Sequence, residues 1–371
     1  MVLSFTEEQE ELRAVVRKFL ESRSSEQQVR IQLDSSDGFD RGVWKQMAEQ
    51  IGIQGLAIPE EFGGSGYGFG ELAIVLEESG RALLCSPLFS TVVLAANTLL
   101  QSGDDAACRR HLPGIASGET LATVAIIEEY GSWTEAGITV RATEAEGGWL
   151  LNGTKPYVLD GASANIIIVA ARSEAGVSLF LVTADSDGLA TAPTPTLDQT
   201  RRQATLELQN TPAQLLGELG AGWDTLSSVL DIAAAALACE QVGGAAQVLE
   251  STVDYVKVRE QFGRPIGSFQ AIKHRCADML VELESARSAA YYASYAVTTA
   301  ADDLPVAAST AKVYCSTAFY HIAAQSIQLH GGIGFTWEHP AHLYFKRAKS
   351  SEILLGSPSH HRAVLADRIG L

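Results

Sequence analysis

Apolar positions in this chain follow a helical period at both ends and a strand-like period in the middle. Near the start, Thr6 and Gln9 form a capping box, in which each side chain can hydrogen-bond to the backbone amide of the other residue. Apolar residues then recur at helical spacing, at Leu12, Val15, Val16, Phe19 and Leu20. We therefore predict a mainly helical segment over residues 1–119.

From about Thr120 the spacing between apolar residues shortens from a helical to a strand-like period. Short β-branched or alternating stretches, separated by turn sequences such as Asn152-Gly153, predict strands. The stretches are 121–127, 149–152, 166–171, 177–183 and 204–208. The pattern thus predicts an all-β segment over residues 120–221.

Helical spacing returns at about residue 222 and continues to the end at residue 371. Three long helices are predicted, over 226–256, 268–295 and 304–329. Gly243 and Gly244 fall inside the first of these helices, where each glycine costs about 1 kcal/mol relative to alanine. Close packing of this helix against another would explain both glycines.

Length and composition indicate a globular protein with more than one domain. The chain has 371 residues, of which 46% are hydrophobic. Its formal net charge of −17 disfavours binding to nucleic acid or to an anionic membrane surface. A phosphate-bearing ligand would therefore be held by a few local arginines and backbone amides.

The cysteines and the N-terminal sequence favour a cytoplasmic protein. Five scattered cysteines without a C-x-x-C pair are typical of a reduced compartment. The N-terminus lacks the basic and apolar regions of a signal peptide, and we expect no membrane span because no run of about eighteen apolar residues occurs. His360 and His361 have no metal-ligand spacing, so we predict no metal and expect both residues at the surface or an interface.

Two motifs about seventy residues apart carry the candidate chemistry. They read Arg259-Glu260-Gln261-Phe262-Gly263-Arg264 and Gln328-Leu329-His330-Gly331-Gly332, the latter followed by Glu338-His339-Pro340. At this spacing they resemble the hallmark blocks of the acyl-CoA dehydrogenase family of flavoproteins. The resemblance implies an α+β fold with a helical N-terminal domain (1–119), a middle β-domain (120–221) and a C-terminal four-helix bundle (222–371).

In that family FAD lies at a subunit interface, and the neighbouring subunit holds its pyrophosphate and adenine. The resemblance assigns this role to Arg259, Phe262, Gln328 and Gly332. The residue types suit the role, because a guanidinium can make forked bonds to phosphate and glycine lets backbone amides approach an anion. Tyr157 is the one aromatic residue retained in kind where the family contacts the flavin ring.

The other positions that face the flavin ring in the family differ in this chain. The two family segments correspond to residues 127–134 and 155–161, and their hydroxyl-bearing positions are Ile127, Trp133 and Leu159. None of these three side chains carries a hydroxyl. Main-chain amides could still bind the ring, but three side-chain contacts are missing.

The family's reaction needs a carboxylate to remove the proton alpha to the thioester while a hydride leaves the beta carbon for the flavin. The two positions at which members carry this carboxylate correspond to Leu355 and Ala233, which are both apolar. Glu240 lies two helical turns after Ala233, about 10 Å along the helix axis. Glu240 is a candidate base, although a structural carboxylate suits that position better, and Asp231 is a weaker candidate.

The favoured interpretation is an FAD-dependent oxidoreductase subunit that takes part in the α,β-desaturation of acyl-CoA thioesters. It would lack its own base and complete the FAD site of a catalytic homologue in a dimer or tetramer. Two alternatives are a self-sufficient homo-oligomeric dehydrogenase that uses Glu240 or another carboxylate, and a non-enzymatic acyl-CoA or flavin-binding scaffold. The resemblance further implies electron-transfer flavoprotein as the electron acceptor and a bulky substrate such as a steroid side chain.

Overall fold

The computed structural model describes residues 5–128 and 131–371 and has an α+β architecture. Helices come first, a β-sheet follows, and long helices complete the chain, as predicted. The early helices are α1 (Glu7–Arg23), α2 (Glu26–Asp34), α3 (Arg41–Gln46), α4 (Phe69–Arg81), α5 (Asn97–Gln101) and α6 (Asp105–Ala116), with a π-helical segment over Phe89–Ala96 before α5. The later helices are α7 (Gly222–Val258), α8 (Gln270–Thr298), α9 (Leu304–His330), α10 (Ala341–Ile353) and α11 (Pro358–Arg368).

The capping box of α1 forms as predicted. The Gln9 amide donates to Thr6 Oγ1 at 3.2 Å, and the Thr6 amide donates to Gln9 Oε1 at 3.1 Å. These two bonds satisfy amides that have no partner within the first helical turn. The apolar stripe then buries Val16 and Leu20 against the rest of its unit.

The middle of the chain folds into one seven-stranded sheet. Its strands are β1 (Ala122–Ala125), β2 (Arg141–Ala145), β3 (Gly148–Leu159), β4 (Ile166–Ser173), β5 (Gly176–Thr183), β6 (Leu189–Pro193) and β7 (Gln203–Leu216). They pair in the order β1-β4-β2-β3-β7-β5, with β6 beside β7, and a further β4–β5 pairing closes the path on itself. The buried residues inside include Leu151, Val169, Phe180 and Leu206.

Two of these strands were not predicted, for a physical reason. The sequence of β2 is Arg-Ala-Thr-Glu-Ala and is mostly exposed, and β6 is exposed along nearly its whole length. Neither strand has an apolar face to produce a period of two. Both are ordered by pairing, β2 with β3 and β6 with β7.

The paired glycines of α7 lie where it packs closely against other helices. A Cβ on Gly243 would come within 1.7 Å of the Glu77 carbonyl oxygen of α4, and one on Gly244 would come within 2.6 Å of the Phe319 ring of α9. The prediction of close helix packing at this pair is therefore confirmed. Only glycine allows these helices to approach so closely without a shift of backbone.

The described residues form two compact units. One contains the chain up to Ile31, Phe69–Leu84 and Ala234–Leu371, and the other contains Gln32–Gly68 and Cys85–Ala233. These units cut the chain at places other than residues 119 and 221, so the three-domain division stays a prediction.

Within the described residues, one helix is long and apolar enough to cross a membrane by length and composition alone. It is α7, and 94% of its most apolar 18-residue window is buried inside the protein. Burial of this kind is typical of a core helix of a globular protein.

Candidate functional site

Helices α7 and α9 run parallel, so their C-terminal ends lie at the same end of the bundle. Hydrogen-bonded pairs join the two helices at three levels, and the partners in each pair are 74 or 75 residues apart in the sequence. The pairs are Gln241–Ser316 at 3.0 Å, Thr252–Ser326 at 2.7 Å and Tyr255–His330 at 3.3 Å. The two predicted motifs lie at or just after these helix ends, which explains how distant residues reach one place.

The first motif forms a tight hairpin directly after α7. Its short strands are β8 (Glu260–Gln261) and β9 (Arg264–Pro265), and Phe262 and Gly263 occupy the turn with φ angles of 53° and 77°. Two successive positive φ angles are typical of a type I′ turn. Phenylalanine is costly in this conformation, yet its side chain is 92% exposed. The hairpin therefore displays Phe262 rather than burying it.

The second motif presents polar and backbone groups at the end of α9. Gln328 is exposed in the last helical turn, and Gly331 leaves the helix with a φ of 65°. A Cβ added to Gly332 would meet no atom within 4 Å among the described residues. The backbone beside Gln328 is thus open to a ligand.

Together the two motifs offer groups suited to a dinucleotide. Arg259 supplies an exposed guanidinium, Phe262 an exposed ring, and the open Gly332 backbone can approach an anion. Large apolar side chains continue this surface, since Phe335 is 86% exposed and Trp337 is 65% exposed. Such a patch rimmed by polar residues is typical of a surface that contacts another chain or a ligand.

A buried ion pair joins the two segments that face the flavin ring in the resemblance, through Glu128 of the first and Lys155 of the second. Lys155 is fully buried on β3, and its Nζ donates to Glu128 Oε1 at 2.7 Å and to the Ile126 carbonyl at 2.8 Å. Glu128 also accepts from the amides of Thr139 and Val140 at 2.8 and 2.9 Å. The carboxylate is therefore held from several sides.

Burial acts differently on the two partners of this pair. At Lys155 burial outweighs the attraction of Glu128 and lowers the pKa to about 8. At Glu128 burial favours the neutral acid, but the charge of Lys155 and the hydrogen bonds outweigh it and lower the pKa. This pair was not predicted from the sequence, although Lys155 has the same parity on β3 as the buried Leu151.

Tyr157 lies at a β-bulge in β3. The pairing of β3 with β7 shifts between Lys155 and Val158, and Tyr157 has a φ of 57° and is 48% exposed. The bulge turns the ring out of the strand. Of the positions without a hydroxyl, Leu159 is buried, whereas Ile127 and Trp133 are half-buried. Glu129 and Tyr130 of the same segment lie outside the described residues.

The two positions at which the family carries its base are packed in the interior. Leu355 is 3% exposed with a φ of 62°, and Ala233 is fully buried on α7. His361 Nε2 donates to the Leu355 carbonyl at 2.9 Å. Burial lowers the pKa of His361 to about 4. The expectation of a surface or interface position for His361 is wrong for this chain, because α11 packs its ring beneath the Leu355 turn.

Glu240 forms a buried ion pair. Arg347 of α10 donates from Nη1 to Glu240 Oε1 at 2.9 Å, and both side chains are nearly inaccessible. Asp231, the weaker candidate, is also buried. The pairing favours a structural interpretation of Glu240, and its catalytic role stays an untested prediction.

Comparison with known proteins identifies the family. Models of the acyl-CoA dehydrogenase N-terminal, middle and C-terminal domains match residues 6–119, 127–211 and 220–370. The chain belongs to the acyl-CoA dehydrogenase family. The predicted fold and the assignment to the oxidoreductases of this family are confirmed.

Individual relatives of this acyl-CoA dehydrogenase agree over nearly the whole chain. Acyl-CoA dehydrogenase IpdE2 of Mycobacterium tuberculosis is 36% identical over 95% of this chain and 94% of its own length. The structure of a G363A variant of the Tcur3481-Tcur3483 steroid ACAD matches with a TM-score of 0.89 and 35% identity over 98% of both chains. The ChsE4-ChsE5 complex from Mycobacterium tuberculosis matches with a TM-score of 0.91 and 28% identity over 100% of this chain and 99% of that chain.

Members of this family bind FAD, and the motif residues of this dehydrogenase fit the dinucleotide part of that cofactor. The fit rests on the exposed Arg259 and Phe262 and on the open backbone at Gly332. At the ring end, the half-exposed Tyr157 is retained beside positions that carry no hydroxyl. The side chains and backbone of this chain therefore fit the dinucleotide part of FAD better than they fit its flavin ring.

Proposed function

We propose that this acyl-CoA dehydrogenase subunit completes the FAD site of a catalytic homologue and has no catalytic base of its own. One observation carries the proposal. The residues that would hold a neighbour's dinucleotide, such as Arg259 and Phe262, are present and exposed, whereas both base positions, Leu355 and Ala233, are apolar and buried.

In the proposed complex each chain has a separate task. Bound FAD would supply the acceptor for the hydride that leaves the substrate's beta carbon. Arg259 of this chain would neutralise pyrophosphate charge, Phe262 would cover the adenine, and backbone amides near Gly332 would donate to phosphate oxygens. The partner would contribute the contacts to the flavin ring, the thioester site and the carboxylate that removes the alpha proton.

The carboxylate nearest in sequence to a base position is a poor substitute. A general base must reach the proton that it removes and must be able to hold it. Glu240 Oε1 already accepts from Arg347 Nη1 at 2.9 Å in the interior, so this oxygen is engaged in a buried ion pair. This buried ion pair supports a structural role for Glu240.

The relatives support both a partner and a bulky substrate. One solved relative is a complex of two chains, ChsE4 and ChsE5, and another is the Tcur3481-Tcur3483 steroid ACAD. By likeness to them we propose a heterotetramer that desaturates a bulky acyl-CoA thioester and passes electrons to electron-transfer flavoprotein. Five free cysteines, four of them buried, support a reduced cytoplasmic location.

Flavin stoichiometry tests this function. The full-length chain would be purified alone and after co-expression with a family member that carries a glutamate at a base position. FAD per chain would be measured by absorbance and the particle mass by light scattering. We expect little FAD on the single chain and one FAD per two chains in the complex. One FAD per chain in the single-chain preparation would contradict the proposal.

A further inference from the structure

Three aromatic rings form a stack at the helix ends that carry the two motifs. The Tyr255 and His330 ring centroids are 4.3 Å apart with an interplanar angle of 31°, and those of His330 and His339 are 4.3 Å apart with an angle of 49°. Tyr255 belongs to the last turn of α7, His330 ends α9, and His339 precedes α10. One stack therefore joins the ends of two helices and the start of a third.

Hydrogen bonds fix the rotation and the tautomer of both imidazoles. His330 Nδ1 lies 2.8 Å from the Ser326 carbonyl, so it carries the proton and donates. His339 Nδ1 accepts from the Ala341 amide at 3.2 Å, so its proton is on Nε2. Burial lowers the pKa of both histidines, and Glu26 and Arg30 act on His339 with opposite signs. Two neutral rings can stack without charge repulsion.

The position of the stack links it to the exposed groups. The Arg259 amide donates to the Tyr255 carbonyl at 2.9 Å, so a displacement of Tyr255 moves the start of the hairpin. Tyr255 Oη donates to the His330 carbonyl at 3.3 Å, and Gly331 follows directly with the turn Gly331–Phe335. The relative placement of Arg259 and Gly332 thus depends on the contact between Tyr255 and His330.

We propose that the stack of Tyr255, His330 and His339 is a positioning unit that holds the Arg259 hairpin and the Gly331–Phe335 turn in the arrangement that binds a dinucleotide. This inference rests on the proposed function. None of the three rings needs to touch FAD. They act through the backbone of Arg259 and Gly332, in the way that supporting residues fix the groups that bind a ligand.

Hydrogen exchange tests the positioning without any cofactor. In the full-length chain, Tyr255→Leu removes both the ring contact and the hydroxyl, and Tyr255→Phe keeps the ring. We expect amides in residues 331–335 to exchange about fivefold faster in Tyr255→Leu, since an aromatic pair contributes about 1 kcal/mol. Tyr255→Phe and Tyr67→Leu, a change at a 70% exposed tyrosine, should stay near wild type. Unchanged exchange in Tyr255→Leu would overturn the inference.

The FAD dissociation constant of the co-expressed complex tests the consequence. We expect about fivefold weaker binding in Tyr255→Leu and a change of about twofold or less in Tyr255→Phe, because the lost hydrogen bond is long. If Arg259→Ala weakens FAD binding but Tyr255→Leu does not, this inference fails while the proposed function stands. If Arg259→Ala also leaves FAD binding unchanged, the proposed function fails and takes the inference with it.

Discussion

Phe262 and Leu355 share a backbone conformation but present their side chains in opposite ways. Both are non-glycine residues with positive φ, 53° and 62°, and such residues cost about 1–3 kcal/mol each. The Phe262 side chain is 92% exposed, whereas that of Leu355 is 3% exposed. The first turn displays a group for a ligand or a partner, and the second packs an apolar group into the interior.

The surroundings of these two turns also differ, since the Phe262 turn lies among exposed groups and the Leu355 turn lies among buried ones. The Phe262 hairpin directly follows the exposed Arg259, and a Cβ on Gly263 in its turn would meet no described atom within 4 Å. The Leu355 turn is held from inside, because His361 donates to its carbonyl and Lys312 Nζ donates to the Ser351 and Glu352 carbonyls at 2.9 and 3.0 Å. The contrast is between a positive-φ residue displayed at the surface and one that packs into the interior at a position where the family carries its base.

The largest predicted effect of a substitution is on FAD binding, and it concerns Arg259 beside the exposed Phe262 turn. Arg259→Ala should weaken FAD retention in the co-expressed complex by roughly two to three and a half orders of magnitude, since removing one member of a buried charge pair costs about 3–5 kcal/mol. The stability of the chain itself should change by about 0.5 kcal/mol or less, because Arg259 is exposed. The measurement is the FAD-to-protein ratio after gel filtration, with thermal unfolding beside it.

Lys257→Ala is the matched control for Arg259→Ala. Lys257 carries the same charge two residues earlier and pairs only at the surface, with Asp254 at 3.7 Å. It should leave FAD retention nearly unchanged. Full flavin retention in Arg259→Ala would show that Arg259 faces solvent in the complex.

Glu240→Gln tests how much the buried ion pair between Glu240 and Arg347 contributes to the stability of the chain. Replacement removes the carboxylate oxygen that accepts from Arg347 Nη1 in the interior, so the free energy of unfolding should fall by about 3 kcal/mol. Glu250→Gln on the same helix is the control, because Glu250 is 56% exposed in its pair with Arg81 and should cost about 1 kcal/mol or less. Denaturant unfolding measures both variants. Loss of turnover in a complex of normal stability would instead make Glu240 the base.

A glycine-to-alanine substitution should affect folding at Gly243 and FAD binding at Gly332. Gly243→Ala places a Cβ within 1.7 Å of a carbonyl oxygen and should destabilise the chain by about 3 kcal/mol. Gly332→Ala meets open space and should change stability by about 0.5 kcal/mol or less, while it weakens FAD retention in the complex. A Gly332→Ala complex that keeps all its FAD would remove Gly332 from the binding surface.

The smallest effect concerns the pH dependence of the Lys155–Glu128 pair. The pKa of Lys155 is about 8 in the fold against 10.5 for a free lysine, so the unfolded chain binds more protons between these values. The contribution of Lys155 to stability should therefore rise with pH across this window. Glu128 has a lowered pKa, so its contribution is present above pH 4.5 and is lost as the pH falls through the folded value.

Comparison of wild type with Lys155→Met isolates this contribution. The difference in unfolding free energy between them should shift in favour of wild type by about 1–2 kcal/mol from pH 8 to pH 10. Urea titrations at each pH provide the measurement. A shift in favour of the variant would contradict a buried lysine that is charged near neutrality.

Sequence alone predicted much of the fold because its signals are local. The capping box of Thr6 and Gln9 and the periodicity of α7, α8 and α9 depend on neighbours in the chain. The motif residues were identified by a resemblance, and their meeting point follows from the parallel helices α7 and α9. The exposed strands β2 and β6 could not be predicted, since only pairing with other strands orders them.

The interior contacts of the candidate site could not be predicted from the sequence either, because the partners lie far apart in the chain. Arg347 pairs with Glu240 across 107 residues of sequence, and Lys155 pairs with Glu128 across 27. No local pattern marks which charge a buried glutamate will meet. The Tyr255–His330–His339 stack likewise joins three helix ends that only the folded bundle brings together.

Turnover by the single full-length chain tests the central claim most directly. The purified chain, supplemented with FAD, would be assayed with an artificial electron acceptor and straight-chain, branched and bulky acyl-CoA thioesters. We predict no turnover above background, because Leu355 and Ala233 cannot accept a proton and a general base contributes about 10²–10⁴-fold. Turnover should appear when a base-carrying homologue is co-expressed. Robust turnover by the single chain would contradict the proposal that it lacks a catalytic base.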